Sequence, residues 1–407
     1  MKKIINILIT LFFLYPLYMI SFLFKRNYNK WVFGSENKFD GNCKYFFIQT
    51  KNQYPNIDCI WVTKNKEEIS SLIKNGYNVH YLYSLKALYH LLTSGVYITS
   101  HPLNDSLPIW TIGVAKYINL WHGIGIKNMY FKANTKYHYL RYHHPIVKYL
   151  YYPFIINILK RPDLFLSTSR KMNKHFKESF KLENRNILES YYPRCSLLTM
   201  DKNSLQSFIK INEPPEIIDL IKKIKGYNEI FIYMPTWRED NENFLDDFLL
   251  HLSEINKHLK QKNKLLLLKL HPRTPLINKD KINSYSNLIL LNNKIDIYPI
   301  LPFTDTLITD YSSIYYDYIL MKEKRTIFFI PDYNSYIKYR DLAFDYFSSI
   351  KGDIVYDFNE LLNKMISDNH HHYSNDDIIK DFWGISDDKR DIHKAIINIL
   401  KNKYNEK

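Results

Sequence analysis

Four short stretches set reactive side chains directly after apolar runs. Trp121-His122-Gly123-Ile124-Gly125 follows KYINL, Pro235-Thr236-Trp237-Arg238 follows EIFIYM, His271-Pro272-Arg273 follows LLLLKL, and Asp310-Tyr311-Ser312-Ser313 follows DTLIT. An imidazole at His122 can take a proton from an attacking hydroxyl. Gly123 and Gly125 let the backbone approach closely and turn its amides inward. Arg238 offers a planar fork for phosphate oxygens, and Thr236 adds a hydroxyl. His271 can donate to a phosphoryl oxygen or protonate a leaving group, and Arg273 can neutralise a diphosphate. The turn at Asp310, Ser312 and Ser313 predicts a helix from about Ser313, whose amides and hydroxyls would form an anion site. Asp317 falls one turn later on a neighbouring part of that face.

Each stretch also has a plain structural reading: a histidine bonded within its own turn, an Arg238 paired with Glu239 or Asp240, a serine cap with nothing bound. Together they describe a phosphate-handling site. There is no DxD pair to clamp a metal diphosphate and no Walker loop. Protein cations would take the metal's place, so neither metal nor cofactor is expected.

Apolar runs alternate with helical patterns, the signature of a parallel, doubly wound α/β sheet. Before the middle of the chain the runs include WVFG, CIWVT, NVHYLY, GVYIT, KYINL and LFLS. A boundary is expected where Pro214 and Pro215 open a helix and Gly226 closes it. A second alternation follows in IFIYM, LLLLKL, NLILL, DTLIT and RTIFFI. The expected organisation is a hydrophobic segment at 1–30, a Rossmann-like domain at 31–225, a second at 226–385 and a helical tail at 386–407. Ligands of such sheets sit beyond the carboxyl ends of the strands, where the four stretches fall.

Lys and Arg number 56 against 41 Asp and Glu, a balance of +15. That favours anionic partners. No zinc-finger spacing or RNA-binding aromatic motif is present, so nucleic acid is not expected. Three scattered cysteines exclude a disulfide framework.

Ile4–Phe24 is an apolar run flanked by Lys2, Lys3, Lys25 and Arg26. At about 1.5 Å per residue it just spans a hydrocarbon core of roughly 30 Å. It lacks the small-residue cleavage site of a signal peptide. A spanning helix and an in-plane anchor both remain open. From about 130 to 162 the alternation lapses, and Lys132, Lys136, Arg141, Lys148, Lys160 and Arg161 interleave with Tyr and Phe. That mixture suits an anionic lipid surface, with cations at the phosphates and rings at headgroup level. An ordinary helical subdomain with a basic face is the alternative.

The motifs WVFGS with GNCKYFF, INLWHGIGIK, YMPTWRE, LLKLHPR, LITDYSSIYYDYILMKEKRTIFFIPD and RDLAFDYF, in that order over about residues 31–365, resemble the CDP-glycerol glycerophosphotransferases of teichoic acid and capsule synthesis. The resemblance implies a GT-B-like fold of two Rossmann-like domains across a cleft, with the donor held mainly by the second. It implies transfer of a polyol phosphate from a CDP-polyol to a hydroxyl of a lipid-linked or polysaccharide acceptor, with release of CMP. It would make His122 the base and His271 the second essential histidine. Thr236, Arg238, Arg273, Ser312, Ser313 and Asp317 would fall on the donor side. It also implies attachment to the cytoplasmic face of the cell membrane. Cys43 stands where the family pattern leads one to expect Ser. The length resembles the shorter, primase-like members. A GT-B glycosyltransferase using a nucleotide sugar is the alternative reading.

Overall fold

A computed structural model gives the fold. It describes residues 9–405 except 37, 239–243, 272, 275–281 and 385–390, and for side chains also excepts 11, 247 and 402–405. The chain forms two compact units. Unit 1 comprises the residues up to His122, then Met129–Arg194, then those from Gly384 on; unit 2 comprises Gly123–Asn128 and Cys195–Trp383.

Unit 1 is built on seven strands: β1 Asn27–Gly34, β2 Asp58–Thr63, β3 Asn78–Tyr81, β4 Ser94–Thr99, β5 Lys116–Asn119, β6 Leu164–Ser167 and β7 Ile187–Glu189. All are parallel, in the order β3-β2-β1-β4-β5-β6-β7. The order reverses between β1 and β4, where Val32 sits opposite both Ile60 and Tyr97. Both faces of the central strands are covered, so they read as unbroken buried runs rather than alternating ones. Val32, Ile60, Val62, Tyr97 and Tyr117 pack with Leu91 and Ile109 on one face. The helix Gly41–Gln53 is buried nearly all round, Lys44 included. The Lys44 ammonium is tolerated there because it lies over the rings of Tyr45 and Phe39.

Unit 2 carries six strands: β8 Glu229–Met234, β9 Lys264–Leu268, β10 Leu288–Leu290, β11 Thr306–Thr309, β12 Arg325–Phe329 and β13 Asp353–Val355. They too are parallel, in the order β10-β9-β8-β11-β12-β13, reversing between β8 and β11. The helix Pro215–Ile224 shows why helices line such a sheet. Proline at its first turn suits the fixed φ there, and Ile217, Ile221 and Ile224 at helical spacing all face inward. The expected boundary at Gly226 lies inside unit 2. The expected α/β architecture of two parallel, doubly wound sheets is present. Two short edge strands, β7 and β13, add to the runs read from sequence.

The N-terminal apolar run is not one long helix where it is described. A π-helical turn, Thr10–Leu14, leads into a helix of seven residues, Tyr15–Ser21, with Pro16 in its first turn. No helix among the described residues is long and apolar enough to cross a membrane; residues 1–8 lie outside the described part. The segment is instead fastened to unit 1. Leu14, Tyr15, Leu17 and Tyr18 pack on the core, and buried Arg26 donates to the carbonyls of Ser21, Leu91, Ser94 and Thr111.

Residues 130–162 are a string of short helical turns around Tyr142, Ile155 and Ile158. The cations expected there have mixed surroundings. Lys132 pairs with Glu178 at 2.7 Å and Arg161 with Glu183 at 3.0 Å. The Arg141 guanidinium lies over Tyr137 and Tyr151, and Lys148 over Tyr149. Lys136 is exposed and Lys160 half-buried.

Candidate functional site

In unit 1 the candidate His122 lies at a strand end close to the reversal of order. His122 follows β5 in a turn held from several sides. Asn42, at the start of the helix Gly41–Gln53, donates to the carbonyls of Leu120 (3.1 Å) and Trp121 (2.8 Å), and its Oδ1 accepts from the Arg194 amide. Asn119 Oδ1 accepts from the Trp121 amide, and Arg194 Nη1 donates to the His122 carbonyl at 2.8 Å. These bonds keep Trp121 at φ 51°, a conformation a bulky residue adopts only at a cost of about 1–3 kcal/mol. Gly123 follows at φ 144°, within the positive range where glycine is at ease.

The His122 ring is oriented as well as placed. Its Nδ1 lies 3.0 Å from the Ser100 carbonyl. A carbonyl only accepts, so Nδ1 carries the hydrogen and Nε2 keeps its lone pair. Burial, then the neighbouring His101, drives its pKa well below 6.5, so the neutral ring prevails at physiological pH. His101 was not singled out from sequence. It sits just beyond β4 in GVYITSHP, and the rule that chemistry gathers after strands would have found it.

In unit 2 the ends of β8, β11 and β12 are tied together by Arg238, which is 3% exposed. Its Nε donates to Asp332 Oδ2 at 2.7 Å, Nη2 to Asp310 Oδ2 at 2.8 Å and to Asp332 Oδ1 at 3.1 Å, and Nη1 to the Thr236 carbonyl. The other Asp310 oxygen accepts from the Thr236 amide at 2.8 Å. The rings of Tyr311, Tyr336 and Phe244 face the guanidinium at 4.8–4.9 Å. The fork expected to grip a phosphate is thus spent on two carboxylates; the Glu239 and Asp240 of the alternative reading lie outside the described residues. Asp332 was also missed from sequence, although it too lies just after a strand.

His271 and Arg273 follow β9 and are both exposed. His271 stacks on Trp237 at 5.7 Å, and Arg273 lies over the same indole at 5.3 Å. His271 Nδ1 accepts from the Arg273 amide at 3.2 Å, so in the neutral ring Nε2 carries the hydrogen. Nearby, three buried donors have no hydrogen-bond partner among the described residues: Thr236 Oγ1, Trp237 Nε1 and Thr274 Oγ1. Buried polar groups are seldom left so.

The turn after β11 departs from expectation. Its helix has only five residues, Ile314–Tyr318, and Ser313 makes no capping bond. So few aligned peptides carry little dipole, and any anion affinity rests on the half-buried hydroxyls of Ser312 and Ser313. Tyr315, Tyr316 and Tyr318 are all buried, so the helix acts as a plug of the core. Asp317 goes inward with them, fully buried, and accepts from Tyr298 Oη at 2.5 Å.

Comparison with known proteins follows this geometry. The family model for CDP-glycerol:poly(glycerophosphate) glycerophosphotransferase matches residues 16–394. The teichoic acid ribitol-phosphate primase of Bacillus spizizenii is 26% identical over 72% of this chain and 71% of its own. The teichoic acid glycerol-phosphate primase of Bacillus subtilis is 24% identical over 79% and 77%. The teichoic acid poly(glycerol phosphate) polymerase of Staphylococcus epidermidis is 24% identical over 79% of this chain but only 43% of its own length. Among solved structures, the wall teichoic acid polymerase TagF superposes with a TM-score of 0.75 at 21% identity, covering 97% of this chain and 96% of the other. That likeness carries the GT-B-like fold.

Proposed function

Because the chain belongs to the CDP-glycerol:poly(glycerophosphate) glycerophosphotransferase family, we propose that it transfers glycerol phosphate, or a related polyol phosphate, from a CDP-polyol to a hydroxyl of a membrane-linked or cell-surface glycan, releasing CMP. In this reading the acceptor oxygen attacks the β-phosphorus as the bond to the CMP oxygen breaks. The acceptor's proton passes to His122 Nε2, the nitrogen left free by the Nδ1 bond to Ser100. His271, through Nε2–H, and Arg273 meet the charge that builds on the phosphate of the departing CMP. Arg238 and Asp310 do not grip the donor. They hold the ends of β8, β11 and β12 in register so that Thr236 and Trp237 keep their places. Ser312 and Ser313 offer hydroxyls from the next turn. Asp317 supports the core beneath.

The observation that carries the donor assignment is the group at the ends of β8 and β9. Three buried donors without partners among the described residues adjoin one histidine and one arginine. A diphosphate supplies acceptors for the first and negative charge for the second.

The membrane side of the proposal rests on the N-terminal segment and the 130–162 insert, which touch where Tyr15 Oη donates to the Pro153 carbonyl at 3.1 Å. Between them they expose Phe12, Phe13, Leu23 (83%), Ile146 and Leu150 (71%), with Lys136 nearby in the sequence. Lying in the plane of an anionic leaflet would bury these side chains, which supports the reading of a protein held at the cytoplasmic face near a lipid-linked acceptor.

The test is CMP release by purified protein from CDP-glycerol, CDP-ribitol and UDP-sugars, each with lipid-linked acceptor on anionic vesicles. CMP from one CDP-polyol supports the reading and names the polyol. Turnover of a UDP-sugar with neither CDP-polyol consumed would overturn it in favour of a glycosyltransferase.

A further inference from the structure

We propose that His101 is a positioning residue for the transfer, a flat plate that fixes the His122 ring and keeps its Nε2 available. This rests on His122 as the proton acceptor.

The two imidazoles lie nearly parallel, 12° apart, with centroids 4.3 Å apart. The adjacent residue, Ser100, supplies the carbonyl that holds His122 Nδ1. One dipeptide at the end of β4 therefore fixes two things: the hydrogen bond sets which edge of His122 points where, and the His101 ring sets the plane. Trp121 lies 4.0 Å from His122, and its indole is locked by Phe165, Phe176 and Phe180. Rotation about the His122 side chain would break the bond to Ser100 and the stack on His101 together.

His101 has no competing engagement strong enough to draw it away. Its Nδ1 is buried with no hydrogen-bond partner among the described residues, and its Nε2 lies 3.6 Å from Glu36, too long for a hydrogen bond. The charged and titratable groups acting on the pair are Glu36, Lys64, Arg194 and the two rings themselves. Two of the three outside groups are cations, and each ring opposes protonation of the other. Burial, Arg194 and Lys64 bring His101 down to about 4. The stack thus favours two neutral rings, the state in which His122 can accept a proton.

The experiment compares His101→Ala, His101→Phe and His122→Ala with the wild type in CMP release from CDP-glycerol, each across about pH 5 to 8.5. Loss of the plate in His101→Ala lowers kcat about 10²-fold with the donor KM unchanged, as expected for a misaligned base. His101→Phe restores a flat ring of similar size and recovers most of kcat. In both variants the acid limb of the rate profile moves up by about one pH unit, because His122 becomes easier to protonate. A merely structural role would not move that limb. Wild-type kcat in His101→Ala, or an acid limb unmoved in His101→Phe, overturns the inference. Wild-type turnover by His122→Ala overturns the base assignment itself. If His101→Ala does not fold, the pH profile of His101→Phe still decides.

Discussion

Arg238 and Asp332 meet through two nitrogens and two oxygens, at 2.7 and 3.1 Å, across the ends of β8 and β12. Asp310 completes the arrangement from β11, the strand between them. One guanidinium therefore fastens three neighbouring strands at the edge where the donor is proposed to bind.

Arg238→Ala leaves buried Asp310 and half-buried Asp332 facing each other without a counter-charge. Breaking a buried pair on one side costs about 3–5 kcal/mol. Chemical denaturation should show a loss of that order, with CMP release lost as well. Arg238→Lys should not rescue, since an ammonium cannot make the bidentate contact to Asp332 and reach Asp310 as well. A lysine variant of wild-type stability would refute this account.

His122→Ala should cut turnover by about 10²–10⁴-fold, the usual worth of a general base. Burial and His101 hold the His122 pKa well below 6.5. The base form therefore persists as the medium is acidified, and the acid limb of kcat/KM in the wild type should lie below pH 6.5. A limb at or above that value would mean another group carries the proton.

Asn42→Ala removes three hydrogen bonds from the turn around His122. At about 1 kcal/mol each, the expected loss is near 3 kcal/mol. Trp121, freed to leave its positive φ, recovers part of that. The clearer signature is kinetic: kcat falls while donor KM holds. An Asn42→Ala enzyme with normal kcat would show that the turn holds without this side chain.

His393 tests stability against pH. It lies on the helix Ile392–Asn405 among the rings of Trp31, Phe46 and Tyr54, with Nε2 2.9 Å from Thr50 Oγ1. Burial lowers its pKa from 6.5 to about 4. Between those values the unfolded chain binds the proton and the folded one does not. The contribution is complete above about pH 6.5 and lost as pH falls towards 4, amounting to about 2 kcal/mol by pH 5. Thermal melts at pH 7.5 and 5 should show the wild type losing more stability than His393→Phe. Equal losses would place the acid sensitivity elsewhere.

Much of this was legible in the chain itself. KLLLL and SGVYIT are unbroken apolar or buried runs because both faces of a parallel sheet are covered, and the reactive residues do follow such runs. What could not be read was pairing at long range. Arg238 meets Asp332, 94 positions away, because sheet order makes β11 and β12 neighbours on one side of β8. Alternation alone gives strands but not their order. The short helix after Ser313 escaped for another reason: IYYDYIL has helical character throughout, whereas the helix stops at Tyr318 with its three tyrosines buried. His101 was within reach as a histidine just after a strand, but its stacking on His122 follows only from the adjacency of β4 and β5.

The helix Ile392–Asn405 belongs to unit 1, although nearly all of unit 2 comes between it and the rest of that unit in the chain. On the ribosome, then, the seven strands of unit 1 emerge first yet finish last. Until His393 arrives, Trp31, Phe46 and Tyr54 lack the group that closes over them, and unit 2 has already been synthesised in full. The nascent chain must carry a nearly assembled but open first unit through most of its translation, which is the interval in which a chaperone would have most to do.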